Sequence, residues 1–198
     1  MENADSQPRA VSNKPLDFFR GFLKDPKQVG SVIPSSRFME RRIIDYARLQ
    51  RCRSVVELGP GTGGTTRALL EAMRPDARLL AIDLNPLFTE AVASISDPRL
   101  ISQTGSAADL GEFLGRHELG QADVVISGIP FSTMPAKIGS AIIRAIADHL
   151  SEDGAFVAYQ FRSEVARLAW PVFGDPRKTE MVTLNIPPMR IWRWEKTT

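Results

Sequence analysis

Ser54-Val55-Val56-Glu57-Leu58 runs without a break into Gly59-Pro60-Gly61-Thr62-Gly63-Gly64 and then into a helix-forming stretch from Thr65, a junction that leaves few folds open. The first five residues are apolar or β-branched around one acid and read as a buried strand. The glycines admit a tight turn and let a ligand approach the backbone closely. Strand, glycine loop and helix in this order set a helix N-terminus beside that ligand, as in the nucleotide sites of doubly wound sheets. Gly59, Gly61 and Gly64 also satisfy the G-x-G-x-x-G spacing of dinucleotide dehydrogenases, which alone is a weak motif.

The chain alternates elements downstream. Strands are predicted at 54–58, 79–83, 99–103, 123–127 and 155–161, with helices at 64–74, 86–95, 107–117 and 136–149. Alternation of this kind predicts an α/β fold, a mostly parallel sheet with helices on both faces. Thr179–Leu184 and Met189–Trp194, joined through Asn185-Ile186-Pro187-Pro188, predict an antiparallel hairpin at its edge. A length of 198 residues suits one domain. Within it, 1–14 reads as a disordered lead-in, 15–52 as N-terminal amphipathic helices and 53–198 as the ligand-binding core. Leu16, Phe18, Phe19, Phe22 and Leu23 share one side of a short helix, opposite Asp17, Arg20 and Lys24. Ser36 is placed to cap a second helix over Arg37–Leu49, on which Arg37, Arg41 and Arg48 share a face.

Cys52 is the only cysteine, so no intramolecular disulfide forms, and a reducing, cytoplasmic compartment is expected. His117 and His149 are the only imidazoles and have no ligand spacing, so no metal is expected and both read as surface or capping residues. No run approaches the roughly 20 apolar residues that cross a bilayer, which predicts a soluble or peripheral protein.

Two carboxylates narrow the ligand. Glu57 stands two residues before the first glycine, where it repels a pyrophosphate but suits the ammonium of a methionine moiety. That favours S-adenosylmethionine over a nicotinamide cofactor. Asp83, followed by Leu84, ends the next strand, where a carboxylate accepts ribose hydroxyls in either kind of site. Gly105-Ser106-Ala107 follows the third strand, where the adenine edge is expected.

Val55-Val56-Glu57-Leu58-Gly59-Pro60-Gly61-Thr62-Gly63 resembles motif I of the class I S-adenosylmethionine-dependent methyltransferases. Gly30-Ser31-Val32-Ile33-Pro34-Ser35-Ser36, Ser127-Gly128-Ile129-Pro130-Phe131, and Asn185-Ile186-Pro187-Pro188 with Trp192 resemble bacterial phospholipid N-methyltransferases, a similarity running from about residue 17 to 195. The resemblance implies a Rossmann-like seven-stranded sheet and stepwise methylation of phosphatidylethanolamine toward phosphatidylcholine, ornithine lipids being the acceptors of some relatives. It implies cofactor contacts at Glu57, Gly59, Gly61, Gly63 and Asp83, a lid formed by the N-terminal segment, and transfer at Ser127, Gly128, Ile129, Pro130 and Phe131; Ser31, Leu84, Ser106 and Ala107 are further expected cofactor contacts. Ile129 and Phe131 depart from the leucine-rich loop common in that family.

Methyl transfer is an in-line displacement at a sulfonium, so the protein mainly aligns the partners and stabilises charge. An ammonium acceptor must first lose a proton, for which Tyr159, Glu164 or a carbonyl-bound water are the candidates. An aromatic face stabilises a cationic product by about 0.5 to 2 kcal/mol. Phe131 is the foremost such ring, followed by Tyr159, Phe161 and Trp170, against the competing reading that Tyr159 and Phe161, like Trp192 and Trp194, alternate on a strand as core aromatics. For an aminophospholipid substrate, Phe18, Phe19 and Phe22 are expected to enter the acyl boundary of an anionic membrane while Arg37, Arg41 and Arg48 attract its phosphates. The protein is then expected at the inner face of the cytoplasmic membrane, with no DNA partner. Residues 16–53 hold nine Lys/Arg against four Asp/Glu, which also suits an RNA adenine dimethyltransferase, although Ser127 stands where that class carries asparagine. A non-catalytic cofactor-binding module and a nicotinamide dehydrogenase complete the alternatives, the last disfavoured by Glu57.

Overall fold

The computed structural model describes residues 36–196. The lead-in, the expected Leu16–Lys24 helix with Phe18, Phe19 and Phe22, and the proposed cofactor contact Ser31 lie outside the described residues. Helices are α1 (Arg37–Ala47), α2 (Gly64–Ala72), α3 (Pro86–Ala93), α4 (Leu110–Arg116), α5 (Ala136–His149) and α6 (Glu164–Phe173). Strands are β1 (Ser54–Leu58), β2 (Arg78–Asp83), β3 (Leu100–Thr104), β4 (Ala122–Ser127), β5 (Leu150–Gln160), β6 (Lys178–Val182) and β7 (Met189–Glu195).

The strands form one seven-stranded sheet in the order β3-β2-β1-β4-β5-β7-β6. The first five pair in parallel and β7 runs antiparallel to both β5 and β6, the hairpin edge expected from the sequence. Strand order reverses between β1 and β4, and in open α/β sheets the ligand crevice lies at the carboxyl ends of the strands beside that switch.

β1 is buried along its whole length, which is why it reads as a continuous apolar run rather than an alternating one. Each face of the sheet has its own core. Met39, Ile43 and Tyr46 of α1 and Leu69 and Leu70 of α2 pack over Val55, Val124, Ile126 and Val157. On the other face, Leu110, Phe113 and Leu114 of α4, Ile142, Ile143 and Ile146 of α5, and Val165 and Leu168 of α6 cover Val56, Leu80, Val125 and Phe156. α1 is therefore built into the core of the sheet domain rather than into a separate N-terminal layer. Trp194 stacks on Phe156 at 5.2 Å and on Trp192 at 6.3 Å between ring centroids, so the β7 tryptophans are core.

Ser36 caps α1, its Oγ accepting from Met39 N–H at 3.3 Å. Its own N–H donates to Asn185 Oδ1 at 3.0 Å, tying the start of α1 to the loop between β6 and β7.

Several expectations are corrected. α1 stops at Ala47 because Arg48 adopts φ 54°, which removes Arg48 from the face of Arg37 and Arg41 and turns it toward Glu195 at 3.5 Å. The predicted helix 107–117 is divided: Ser106 Oγ accepts from Ala108 N–H at 3.2 Å and starts a 3-10 turn over Ala107–Asp109 before α4 begins. β5 begins at Leu150 rather than at residue 155, because Ala122 already pairs with Leu150 across an irregularity in the β4–β5 register. α6 is absent from the sequence prediction because Pro171 lies inside it and reads as a breaker. Val165, Leu168, Ala169 and Phe173 nevertheless make a buried stripe at helical spacing, and tertiary packing carries the element.

Candidate active site

Two loops leave the sheet side by side at the switch point. Gly59 N–H donates to Ile82 O at 2.9 Å and Gly128 N–H donates to Leu58 O at 2.9 Å, each extending strand pairing beyond the strand ends. A Cβ built on Gly59 would lie 3.2 Å from Ile129 Cγ1, and one on Gly128 would lie 2.6 Å from the Tyr159 hydroxyl and 3.3 Å from Gly59 O. The glycine loop and the Ser127–Phe131 loop are thus in contact. Gly59, Gly61 and Gly63 have φ of 75°, 55° and 84°, values that side chains other than glycine rarely adopt without strain. At Gly64, the first residue of α2, a Cβ would meet nothing within 4 Å among the described residues, which leaves the helix start open on that side.

Glu57 is fully buried at the end of β1. Its Oε2 accepts from Thr66 Oγ1 at 2.7 Å, while Oε1 has no partner among the described residues. Burial pushes its carboxyl up to about 7, with the Thr66 bond pulling down and the nearby Asp83 charge adding to the rise. An orphaned, desolvated carboxylate oxygen calls for a cationic donor, and the ammonium of S-adenosylmethionine is one. Asp83 Oδ2 accepts from Gly61 N–H at 3.3 Å and Oδ1 from Asn85 N–H at 2.9 Å, leaving lone pairs on both oxygens for a ribose diol. Burial raises this carboxyl, opposed by the N–H groups of Asn85, Gly61 and Leu84. Leu84 thus acts through its backbone. Gly105 N–H donates to Asp83 O at 2.9 Å, which brings the Gly105-Ser106-Ala107 corner to the end of β2. The residues present fit S-adenosylmethionine: Glu57 for the ammonium, the glycine loop for the backbone approach, Asp83 for the ribose and the Ser106–Ala107 corner for the adenine edge.

On the acceptor side, Ser127 is buried and its Oγ accepts from Ile129 N–H at 3.3 Å, folding the loop on itself. Gln160 Nε2 donates to Ile129 O. Pro130 leads into a 3-10 turn, Phe131–Thr133. That turn carries Phe131 toward the core: the residue is 1% exposed, its ring lies 3.3 Å from the Cβ position of Gly139 on α5, and it packs in the cluster beneath α5 and α6, a core position rather than the open aromatic face expected. The Tyr159 hydroxyl contacts Thr65 Oγ1 at 3.4 Å beside Gly128 and stays among the acceptor-side groups. Glu164 does not suit proton acceptance, because the Arg167 guanidinium holds its carboxyl below the ordinary range on the outside of α6. Phe161 and Trp170 are exposed. His117 Nε2 meets Gln103 Oε1 at 3.2 Å, and the His149 ring fills the space a Cβ on Gly111 would need, so both histidines serve packing. Among the described residues, no group of three or more His, Cys, Asp or Glu is placed to hold a metal ion.

Thr66 and Gln160 are absent from the sequence-based site. A hydroxyl pair in the first turn after a glycine loop, and a single amide closing the apolar run Ala155–Tyr159, are the signals that mark them.

No family model matches the chain. Its fold is similar to that of TrmN from Thermus thermophilus, at TM-score 0.66 and 16% identity over 80% of this chain and 48% of that one. The chain therefore spans about half the length of that protein. It is likewise similar to the N-methyltransferase NodS from Bradyrhizobium japonicum WM9 in complex with S-adenosyl-L-homocysteine, at TM-score 0.66 and 12% identity over 94% and 100% of the two chains. At the β1–β4 switch of this fold, Glu57 and Asp83 flank the glycine loop, the arrangement expected from the resemblance to class I S-adenosylmethionine-dependent methyltransferases. In sequence, the chain is similar to ornithine lipid N-methyltransferase from Singulisphaera acidiphila, 27% identical over 157 residues that make up 77% of this chain and 78% of the relative.

Proposed function

We propose that this chain is an S-adenosylmethionine-dependent methyltransferase that methylates the amine of a membrane aminolipid, with a phosphatidylethanolamine or ornithine lipid headgroup, while docked on an anionic bilayer. The observation that carries the proposal is the surface at the carboxyl end of the sheet, the end that bears the cofactor crevice. Phe161, directly after β5, is 62% exposed, and Leu184 and Ile186 in the β6–β7 loop are 63% and 82% exposed. The Ser36–Asn185 bond brings the start of α1 to the same loop, and there Phe38 is half exposed. Arg37, Arg162 and Arg190 are exposed in the same neighbourhood. Apolar side chains interleaved with arginines around a site suit the acyl boundary and phosphates of a lipid surface. Each arginine contributes about 1 kcal/mol near anionic lipid. The relative named for ornithine lipid N-methylation supports the same acceptor class. Among the described residues no helix is long and apolar enough to cross a membrane.

When bound, the cofactor supplies a methyl group on a sulfonium, open to displacement by an amine. Glu57 and Asp83 would hold its two ends, and the Ser127–Phe131 loop, which touches Gly59, would hold the acceptor beside it. Alignment of nucleophile and methyl is the main contribution asked of the chain. The acceptor's ammonium proton leaves before attack, and the Tyr159 hydroxyl beside Gly128 is placed to relay it, taking that proton as it passes its own to water.

The test is transfer of labelled methyl from S-adenosylmethionine to vesicles containing phosphatidylethanolamine, its mono- and dimethyl forms, or ornithine lipid. Label in one or more of these lipids is expected. No label in any of them, from a protein that binds the cofactor, contradicts the acceptor assignment.

A further inference from the structure

We infer that Gln160 is a positioning residue that holds the acceptor amine through its side-chain oxygen and makes the site favour the less methylated amine; the inference rests on the amine-acceptor reading above. Gln160 closes β5, is 5% exposed, and follows the apolar run Ala155-Phe156-Val157-Ala158-Tyr159. Its Nε2 donates to Ile129 O, in the middle of the transfer loop. A carbonyl only accepts, so the amide orientation is fixed: the NH2 faces Ile129 and Oε1 faces away from it. That Oε1 is buried and has no hydrogen-bond partner among the described residues.

A buried amide oxygen without a donor is costly, and a leucine or methionine would fill the same space without that cost. The orphan belongs to the amide that binds the backbone of Ile129, and the Ile129 side chain stands 3.2 Å from the Cβ position of Gly59 on the cofactor loop. The missing partner is a donor that arrives with the substrate. An ammonium or amine N–H supplies it, as a charge-assisted bond when protonated.

Selectivity follows from counting N–H groups. Each methylation replaces one N–H by a methyl, and a quaternary product has none left to give to Gln160. In the deprotonated form that attacks, primary and secondary amines still offer an N–H and the dimethyl form offers none, so the residue holds the first two during transfer; the trimethylated headgroup has none in any state, which favours product release. Thr66 satisfies one oxygen of Glu57 and leaves the other for the cofactor; Gln160 repeats that arrangement on the acceptor side, one end of its amide bound to the protein and one left for the ligand.

The experiment compares kcat/KM for phosphatidylethanolamine and for its dimethyl form in wild-type protein, Gln160→Met and Gln160→Glu. In Gln160→Met, kcat/KM for phosphatidylethanolamine is expected to fall about tenfold or more, that for the dimethyl form less than about threefold, with cofactor affinity unchanged. Gln160→Glu keeps an acceptor oxygen and is expected to retain the preference at lower kcat. An unaltered ratio between the two substrates in Gln160→Met, whatever the absolute rates, overturns the inference and leaves Gln160 as a clamp on Ile129. A check without any variant uses wild-type protein loaded with S-adenosylhomocysteine, on which phosphatidylcholine is expected to compete at least about tenfold more weakly than phosphatidylethanolamine. Equal competition also overturns the inference. If wild-type protein methylates no aminolipid, the functional reading and this inference fall together; if it does so and the ratio is unmoved, only the inference falls.

Discussion

Thr66 Oγ1 donates to Glu57 Oε2 across 2.7 Å, and the other oxygen of the same buried carboxylate meets no donor among the described residues. One end of Glu57 is thus satisfied by the protein and the other is left for a ligand. This division ties the stability of the protein to its function.

The folded-state carboxyl of Glu57 stands at about 7, above its ordinary 4.5. Between those two values the folded chain holds a proton that the unfolded chain has released. The contribution of Glu57 is therefore most favourable below pH 4.5, is lost as pH rises toward 7, and is level above that. The difference is on the order of 3 kcal/mol. Glu57→Gln is expected to remove this slope and to be more stable than wild type at pH 8, by urea denaturation without cofactor. Loss of stability in the variant at pH 8 contradicts the account.

Gly128→Ala places a methyl 2.6 Å from the Tyr159 hydroxyl and 3.3 Å from Gly59 O, pushing the two loops apart. Overpacking of this kind costs about 1 to 3 kcal/mol, and a displacement near 1 Å at a reacting centre costs about a hundredfold in rate. Methyl transfer is expected to fall far more than stability. Adding Tyr159→Phe removes the closest atom but leaves Cζ at 3.0 Å from the added methyl, so it is expected to restore stability only in part. A Gly128→Ala protein with wild-type kcat contradicts the contact as a determinant of the site.

Gly105 faces the edge of the Phe113 ring so closely that a Cβ would lie 2.3 Å from Cζ. Gly105→Ala is expected to weaken cofactor binding by displacing the Ser106–Ala107 corner, and to cost about 1 to 3 kcal/mol of stability. Phe113→Leu in the same chain is expected to recover binding. Unchanged affinity in Gly105→Ala by calorimetry contradicts a role for that corner in the cofactor site.

Leu184→Asp with Ile186→Asp puts two charges on the exposed β6–β7 loop, away from both cores. Flotation with anionic vesicles is expected to drop at least about tenfold, while methyl transfer to detergent-dispersed aminolipid persists. Undiminished flotation of the double variant contradicts docking through this rim.

The parts of the site legible in the sequence are those where chemistry is local. β1, the glycine loop, Glu57 and Asp83 are contiguous or end neighbouring strands, so their coming together at the switch point could be read from the chain. The acceptor loop was legible as a position but not as an orientation: whether Phe131 faces the ligand or the core depends on the 3-10 turn that begins there and on Gly139 of a later helix. Arg48 left its expected face because one residue adopts a left-handed conformation, which periodicity does not register. α6 was hidden by Pro171, although its buried stripe outweighs the proline. Gln160 is an ordinary strand-end amide until its partner Ile129, 31 positions away in sequence, is brought beside it.

The central claim is that Glu57, Asp83 and the glycine loop hold S-adenosylmethionine at the β1–β4 switch. Isothermal titration of the protein at pH 8 with S-adenosylmethionine, and separately with NAD, tests it most directly. The account predicts binding of S-adenosylmethionine with a stoichiometry near one, affinity weakened at least about tenfold in Glu57→Gln through loss of a charge-assisted bond, and no binding of NAD. Undiminished binding in Glu57→Gln, or binding of NAD in preference to S-adenosylmethionine, would contradict it.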